Sequence, residues 1–153
     1  VYEIRDHAPL DGLTRGGAKL VFNEKPSDYI TSYSTLRHVN DFLFSLGFAV
    51  SKKGALAEVL WGSPAWQAGI TRDQELVAVN GEAYDADDLK ETITADKVKN
   101  SGPITLLLRD GSRFHSVSIP YHDGLRYPNL EGSQDGLKAI LAPLPDKGAA
   151  RVQ

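Results

Sequence analysis

Residues 62–69, Gly-Ser-Pro-Ala-Trp-Gln-Ala-Gly, predict a single short helix with both of its ends marked. Ser63 stands where its hydroxyl caps the helix N-terminus, Pro64 takes the first helical position, and Gly69 ends the helix. Two stretches with strand character, residues 56–61 and 75–79, lie on either side of it. The chain around this segment is therefore expected to combine short helices with strands.

Further strands are predicted from apolar runs that end in turn residues. The predicted strands are residues 18–22, 48–51, 56–61, 75–79, 104–108 and 114–119. Lys53-Gly54 marks a hairpin turn, and Asn80-Gly81 closes the strand before it. Asp110-Gly111, between the last two runs, is the strongest short-range hairpin signal in the chain.

A longer helix is predicted after residue 85, with Leu89 and Ile93 one helical turn apart. Either Asp85 or Asp87 is placed to cap it, and acidic residues there suit the positive end of the helix dipole. Apolar residues within 29–39 are loosely spaced like one face of another helix.

The organisation predicted along the chain has three parts. Residues 1–40 form a loop-rich N-terminal extension or linker from an upstream domain, and residues 41–124 carry the regular pattern. Residues 125–153 form a C-terminal extension rich in proline and glycine, with a helix expected at 137–141 and a mobile end.

Composition and charge exclude several functions. The net charge is −3 and no basic stripe is visible, which argues against nucleic acid as a partner. Cysteine is absent, so disulfides and thiolate metal sites are excluded. No apolar run approaches the roughly 18 residues that a membrane helix needs. The chain of 153 residues starts at Val1 and contains no methionine, so we expect a piece of a longer protein.

Three motifs in fixed order resemble a PDZ domain: Leu46-Gly47-Phe48, the segment 62–69, and Val79-Asn80-Gly81. A final strand pair that closes the chain is similar to the circularly permuted bacterial type. The resemblance implies an α+β fold, a partly open antiparallel β-barrel or sandwich with two helices, to which the N- and C-terminal extensions are added.

In such a fold, an extended peptide or a protein C-terminus binds by adding a strand to an unpaired edge. The edge expected here is residues 48–51, and the preceding loop is expected to aim backbone N–H groups at a carboxylate. Leu46 and Phe48 would wall the pocket, and Lys90 and Ile93 would face the groove from the helix. The predicted peptide-binding residues are Leu46, Gly47, Phe48, Ala49, Val50, Ser51, Lys90 and Ile93.

Simpler interpretations of the same residues remain open. Leu46 and Phe48 can be core residues with Gly47 in an ordinary turn. Ile93 suits the core better than the groove, and Lys90 suits a solvated helix face. Arg37 and His38 are candidates to hold a ligand carboxylate. Trp61 and Trp66 are interpreted as packing residues rather than as platforms for a ligand.

No catalytic pattern is present in the sequence. A zinc peptidase needs two histidines one helical turn apart with a glutamate base, and the four histidines match no such spacing. No nucleophile elbow and no phosphate-binding glycine loop occur. We expect no enzyme activity and no cofactor in this chain.

The flanking residues resemble the C-terminal part of the glycyl aminopeptidase family, bacterial zinc metallopeptidases that end in a PDZ domain. This resemblance rests on residues 8–13, 16–17, 19–21, 41–48 and 121–131. It implies a parent aminopeptidase whose zinc site lies in an upstream catalytic domain, so no zinc ligand is assigned to any residue here. It also implies a bacterial protein of the periplasm or cytoplasm, with the periplasm favoured.

Three functions follow from these observations. The first is a peptide-recognition module that presents substrate or partner chains to the protease domain. The second is a structural role, in which the domain packs against the catalytic domain and its groove is filled by its own chain, with either extension as the occupant. The third is a scaffold that pairs with a different protein.

Overall fold

The computed structural model describes residues 17–99 and 102–132. Nine strands and three helices lie in these residues, and their bounds follow the turn and cap residues. The strands are β1 (Ala18–Asn23), β2 (Val39–Phe42), β3 (Phe48–Ser51), β4 (Leu56–Val59), β5 (Glu75–Val79), β6 (Glu82–Ala83), β7 (Ile104–Asp110), β8 (Arg113–Ile119) and β9 (Tyr127–Gly132). The helices are α1 (Asp28–Arg37), α2 (Pro64–Gln67) and α3 (Ala86–Lys99).

The strands form three sheets, and the two larger sheets are antiparallel. One has the order β2-β3-β4, another has the order β6-β5-β7-β8, and β1 pairs with β9 in a two-stranded sheet. An isolated bridge between Ala55 and Glu75 joins the β3–β4 hairpin to β5. The sheets do not close into a barrel, and the architecture is α+β, as the sequence predicted.

The chain divides into two compact units. Of the described residues, those within 22–129 form the larger unit, and residues 17–21 and 130–132 belong to the other. In the described part of the smaller unit, β1 and β9 meet so closely that a Cβ on Gly132 would lie 2.5 Å from the Gly17 carbonyl oxygen. The predicted helix at 137–141 lies outside the described residues.

The caps predicted for α2 and α3 are confirmed. Ser63 Oγ accepts a hydrogen bond from the Trp66 N–H at 3.2 Å, with Pro64 as the first residue of α2. Asp85 Oδ1 accepts from the N–H groups of Asp87 and Asp88 at 2.8 and 3.3 Å, so Asp85 is the residue that caps α3. These side chains satisfy N–H groups that a helix start would otherwise leave without partners.

Helix α1 exists, but the predicted apolar face is wrong in part. Ser27 caps the helix, and Ile30 is its buried residue. Tyr29 and Leu36 are 73% and 80% exposed, and Val39 belongs to β2. The loose spacing of these residues never formed a continuous stripe, so only one turn of α1 contributes to the core.

The core of the larger unit lies between its two sheets and α3. Phe42, Phe48 and Val50 enter it from β2 and β3, while Leu89 and Ile93 enter it from α3. The remaining members come mainly from β5, β7 and β8. None of the described helices is long and apolar enough to cross a membrane.

Candidate functional site

The loop between β2 and β3 carries the Leu-Gly-Phe motif and is fixed by α2. The Leu46 carbonyl accepts from the Ala65 N–H at 2.9 Å, and the Gly47 carbonyl accepts from the Leu60 N–H at 2.8 Å. Gly47 has φ +101°, and a Cβ there would lie 2.0 Å from Ser63 Oγ. Glycine is therefore required for two reasons, a positive φ and the close approach of the α2 cap.

The N–H groups of this loop bond to acceptors in the chain itself. Those of Ser45 and Gly47 both donate to the Phe42 carbonyl, at 3.1 and 2.8 Å. The Leu43 N–H donates to Asp41 Oδ1 at 2.9 Å. The sequence predicted that the loop would aim its N–H groups at the carboxylate of a ligand. For these three groups that prediction is wrong, because the end of β2 supplies the acceptors.

Strand β3 is paired on both edges, which corrects the prediction of an unpaired edge at residues 48–51. Its outer edge carries β2 in antiparallel register, from Val39 opposite Ser51 to Phe42 opposite Phe48. Its other edge carries β4. The segment Val-Asn-Asp-Phe was missed as a strand because asparagine and aspartate disfavour strands and no turn dipeptide follows it.

Strand β2 is held by side chains as well as by the sheet. Phe42 is 1% exposed, and its ring centroid lies 5.9 Å from that of Phe48. Asn40 Nδ2 donates to the Tyr84 hydroxyl at 3.4 Å, and burial raises the pKa of Tyr84 to about 12. Asn40 and Phe42 are two positions apart and so lie on the same face of β2, which they attach to the rest of the larger unit.

The side chains predicted to form a peptide pocket lie mostly in the core. Leu46, Phe48 and Val50 are fully buried, and Ala49 and Ile93 are 3% and 1% exposed. In this state they offer little surface to a ligand, and their part in peptide binding stays a prediction.

The polar members of the predicted site lie farther out. Ser51 is half-buried, and its hydroxyl accepts from the Ala55 N–H inside the β3–β4 hairpin. Lys90 Nζ lies 2.9 Å from Asp87 Oδ1, one turn earlier on α3. Arg37 bonds to the Tyr33 hydroxyl within α1. His38 ends α1 with φ 55° and lines a cavity between α1 and β2.

A cavity of about 490 Å³ lies between α1 and β2. Its walls are α1, residues 39–41 of β2, Lys90 of α3, and Leu125 and Tyr127. We call it the α1–β2 cavity. The sequence placed only His38 and Lys90 of this set near a ligand, because the cavity exists only once β2 lies beside β3.

Asp41 is the buried charged residue of the α1–β2 cavity, with 9% of its surface exposed. Burial raises the pKa of its carboxyl above the usual value, while the Leu43 N–H opposes this shift and the negative charge of Glu58 adds to it. A carboxyl that is kept from water and lies near another negative charge is a costly group to ionise.

Two exposed tryptophans lie at α2, with Trp66 in the helix and Trp61 shortly before it. Trp61 and Trp66 are 71% and 45% exposed, and their ring centroids are 5.4 Å apart. They pack on each other at the surface, and their interpretation as packing residues rather than as platforms for a ligand stays a prediction. The sequence also did not predict the contact between His122 and the buried Asp96, in which His122 Nδ1 lies 2.5 Å from Asp96 Oδ2. Within residues 17–99 and 102–132, no group of three or more His, Asp or Glu side chains could hold a metal ion.

No family model and no curated protein matches the chain. Among solved structures, one similar structure is that of the HtrA3 PDZ domain bound to a phage-derived ligand, with a TM-score of 0.36 and 18% sequence identity. The aligned region covers 75% of this chain and 91% of the HtrA3 chain. An aminopeptidase N family protein from Idiomarina loihiensis is similar with a TM-score of 0.51 and 14% identity, covering 94% of this chain. The chain spans 24% of the length of that second structure.

At these identities the likeness concerns the fold alone. The order of a β2–β3 hairpin loop, β4, a short helix, β5, a longer helix and a closing hairpin is the PDZ-type order that the sequence predicted. The fold is α+β, and the outer edge of β3 is covered by β2.

Proposed function

We propose that this chain is a non-catalytic interaction module of PDZ type whose peptide-accepting strand is occupied by the chain itself. The observation that carries the proposal is the pairing of β2 with β3, which fills the edge where an extended peptide would add. Phe42 in the core and the loop N–H groups bound to Phe42 and Asp41 support a stable occupation.

The module would serve a longer protein. The resemblance to the glycyl aminopeptidase family and the partial coverage of the aminopeptidase N family structure favour a metallo-aminopeptidase as the parent. In that parent, zinc and the general base would belong to a catalytic domain upstream, and this module would pack against it. Nothing in the module would then need to bind zinc.

Peptide recognition at β3 is a second candidate function, which requires β2 to leave. The weak anchoring of the segment before β2 favours it: α1 buries Ile30 but exposes Tyr29 and Leu36. A peptide that replaced β2 would meet the predicted residues 46–51, and Lys90 and Ile93 would face it from α3. Under this function β2 acts as an internal competitor of the ligand.

An amide-resolved NMR titration separates the two functions. Short apolar peptides, each with a free or an amidated C-terminus, are added to the wild-type chain. If β2 stays in place, neither form shifts residues 47–51, and the amides of 48–51 exchange slowly with solvent. Shifts at 47–51 that disappear on amidation contradict stable occupation and favour the second function.

A variant pair sharpens this result. Phe42→Ala removes the buried ring that holds β2, so peptide-dependent shifts at 47–51 are expected to appear. Phe114→Ala removes a ring that is 60% exposed on β8 and is expected to behave like the wild type.

A further inference from the structure

We infer that the α1–β2 cavity binds the N-terminal end of an extended peptide, with Asp41 as the counter-ion of its ammonium group. This inference rests on the proposed function, because it names the ligand of a module whose β3 edge is already filled. The strand edge that receives the peptide is then β2 rather than β3, and the peptide end that is bound is the ammonium rather than the carboxylate.

The first support is the charge of Asp41. Its carboxyl is about nine-tenths buried, and its hydrogen bond to the Leu43 N–H occupies Oδ1. None of the ion pairs among the described residues involves Asp41. A buried carboxylate gains most from a cationic partner, since ion pairs strengthen where water is excluded.

The other charged side chains that line the cavity pair elsewhere or are exposed, so the place beside the Asp41 carboxyl is open to a cationic ligand group. Lys90 pairs with Asp87 at 2.9 Å, and Glu24 pairs with Lys97. Lys52 and His38 are exposed at the rim. Glu58, though not part of the wall, adds negative charge near Asp41. The buried charge of the cavity is therefore negative, whereas its positive side chains are exposed or partly exposed to water.

The second support is the free edge of β2. In the described sheet β2 is the last strand, and residues 39–41 form part of the cavity wall. An edge strand offers backbone N–H and C=O groups to an extended segment. A peptide lying along β2 could bond to these groups while its ammonium reaches Asp41.

The third support is the size and lining of the cavity. Its volume of about 490 Å³ lies within the range of known ligand pockets, roughly 300–1,000 Å³. Ile30, Leu125 and Tyr127 supply apolar wall, and Ile30 and Tyr127 are almost fully buried. The preferred ligand therefore has an apolar first residue.

The test is an amide-resolved NMR titration of the whole 153-residue chain near neutral pH. The probes are Leu-Ala-Ala amide, N-acetyl-Leu-Ala-Ala amide and N-acetyl-Lys-Ala-Ala amide. The inference expects the first probe to shift Val39, Asn40, Asp41, Leu125 and Tyr127, and the second to shift none of them. Equal binding of the acetylated leucine probe overturns the role of the ammonium. Stronger binding of the lysine probe overturns the assignment to a peptide N-terminus.

Two variants locate the site. Asp41→Asn keeps an acceptor for the Leu43 N–H but removes the charge, and it is expected to weaken binding of the first probe about 10- to 100-fold. Ser34→Trp, on the α1 wall, places a bulky side chain in the cavity while leaving Asp41 unsubstituted, and it is expected to abolish binding. Asp110→Asn removes an exposed carboxylate at the end of β7, outside the cavity lining, and is the matched control that is expected to bind within about twofold of wild type.

Failure of this inference is distinguishable from failure of the proposed function. If no probe binds and residues 48–51 stay protected from exchange, the N-terminal site is wrong and the self-occupied module stands. If the probes shift residues 47–51 and release β2, both are wrong. Unchanged affinity in both Asp41→Asn and Ser34→Trp also overturns the site.

Discussion

Replacing Gly47 by alanine tests how the Leu-Gly-Phe loop is fixed to α2. The new Cβ would lie 2.0 Å from Ser63 Oγ and 2.2 Å from Ser63 Cβ, whereas Ser63 Cα is 3.5 Å away. The residue also has φ +101°, a conformation that side chains disfavour. The substitution therefore combines backbone strain with an overlap against a single side chain.

The two contributions have separate magnitudes. An alanine held at this φ costs about 1–2 kcal/mol. The overlap forces Ser63 to move, which costs about 1–3 kcal/mol as overpacking. The sum, about 2–5 kcal/mol, is a large part of the roughly 5–15 kcal/mol that stabilises a typical domain.

A double-mutant cycle in urea measures the overlap by itself. Ser63→Gly deletes both atoms that collide with the new Cβ and, as a change of N-cap to glycine, costs only about 0.5 kcal/mol. The double variant Gly47→Ala with Ser63→Gly should then be more stable than Gly47→Ala alone, by about 1–2 kcal/mol. Gly69→Ala is the control for strain, because Gly69 has φ +82° and nothing within 4 Å of its added Cβ.

Two results would refute this reasoning. If Gly47→Ala costs no more than Gly69→Ala, the close approach of Ser63 has no energetic weight. If the double variant is less stable than Gly47→Ala alone, the two sites do not interact as the distances imply. Changes in midpoint at constant denaturant slope would show that native stability, rather than the unfolded state, is affected.

Two further predictions concern β2. Phe42→Ala should lower the free energy of unfolding by about 3–4 kcal/mol, because the Phe42 side chain is 1% exposed. The control Phe114→Ala should lower it by less than about 1 kcal/mol, because Phe114 is 60% exposed. Equal losses of stability in urea unfolding would contradict the core position of Phe42. Burial raises the pKa of the Asp41 carboxyl in the folded chain, so the folded chain binds the carboxyl proton more tightly than the unfolded chain does. Ionisation of Asp41 therefore lowers the free energy of unfolding as the pH rises from the usual aspartate pKa through the folded-state pKa. The stability of Asp41→Asn relative to wild type should therefore increase as the pH rises above the usual aspartate pKa, and a relative stability that falls with pH would contradict the shift.

Much of the fold could be predicted because its signals lie within a few residues of one another. Ser63, Pro64 and Gly69 mark α2, and Asp85 marks the start of α3, through hydrogen bonds and φ preferences that need no distant partner. The hairpin turn at Asn80-Gly81 has φ 52° and 90°, the positive values that this dipeptide favours. The strands around these marks followed from their apolar runs.

The candidate site could be predicted only in part. The motif Leu46-Gly47-Phe48 located the loop, and Gly47 was correctly expected to allow a close approach. The strand Val39–Phe42 was not expected, since Asn40 and Asp41 in its middle are unusual in strands. Because β2 was not predicted, the outer edge of β3 was expected to be open, and the wall that β2 gives to the α1–β2 cavity was not foreseen.

The amino-acid sequence by itself determined the order of the elements, their caps and their turns, since each depends on contacts across one turn of chain. The tertiary structure alone decided which strand covers β3 and where the α1–β2 cavity lies. The Leu46 carbonyl bonds to α2, and the Phe42 ring inserts into a core shared by β3, β5, β7 and α3. The pairing of β2 is therefore stabilised by residues distant in the chain, and local propensity does not report their positions.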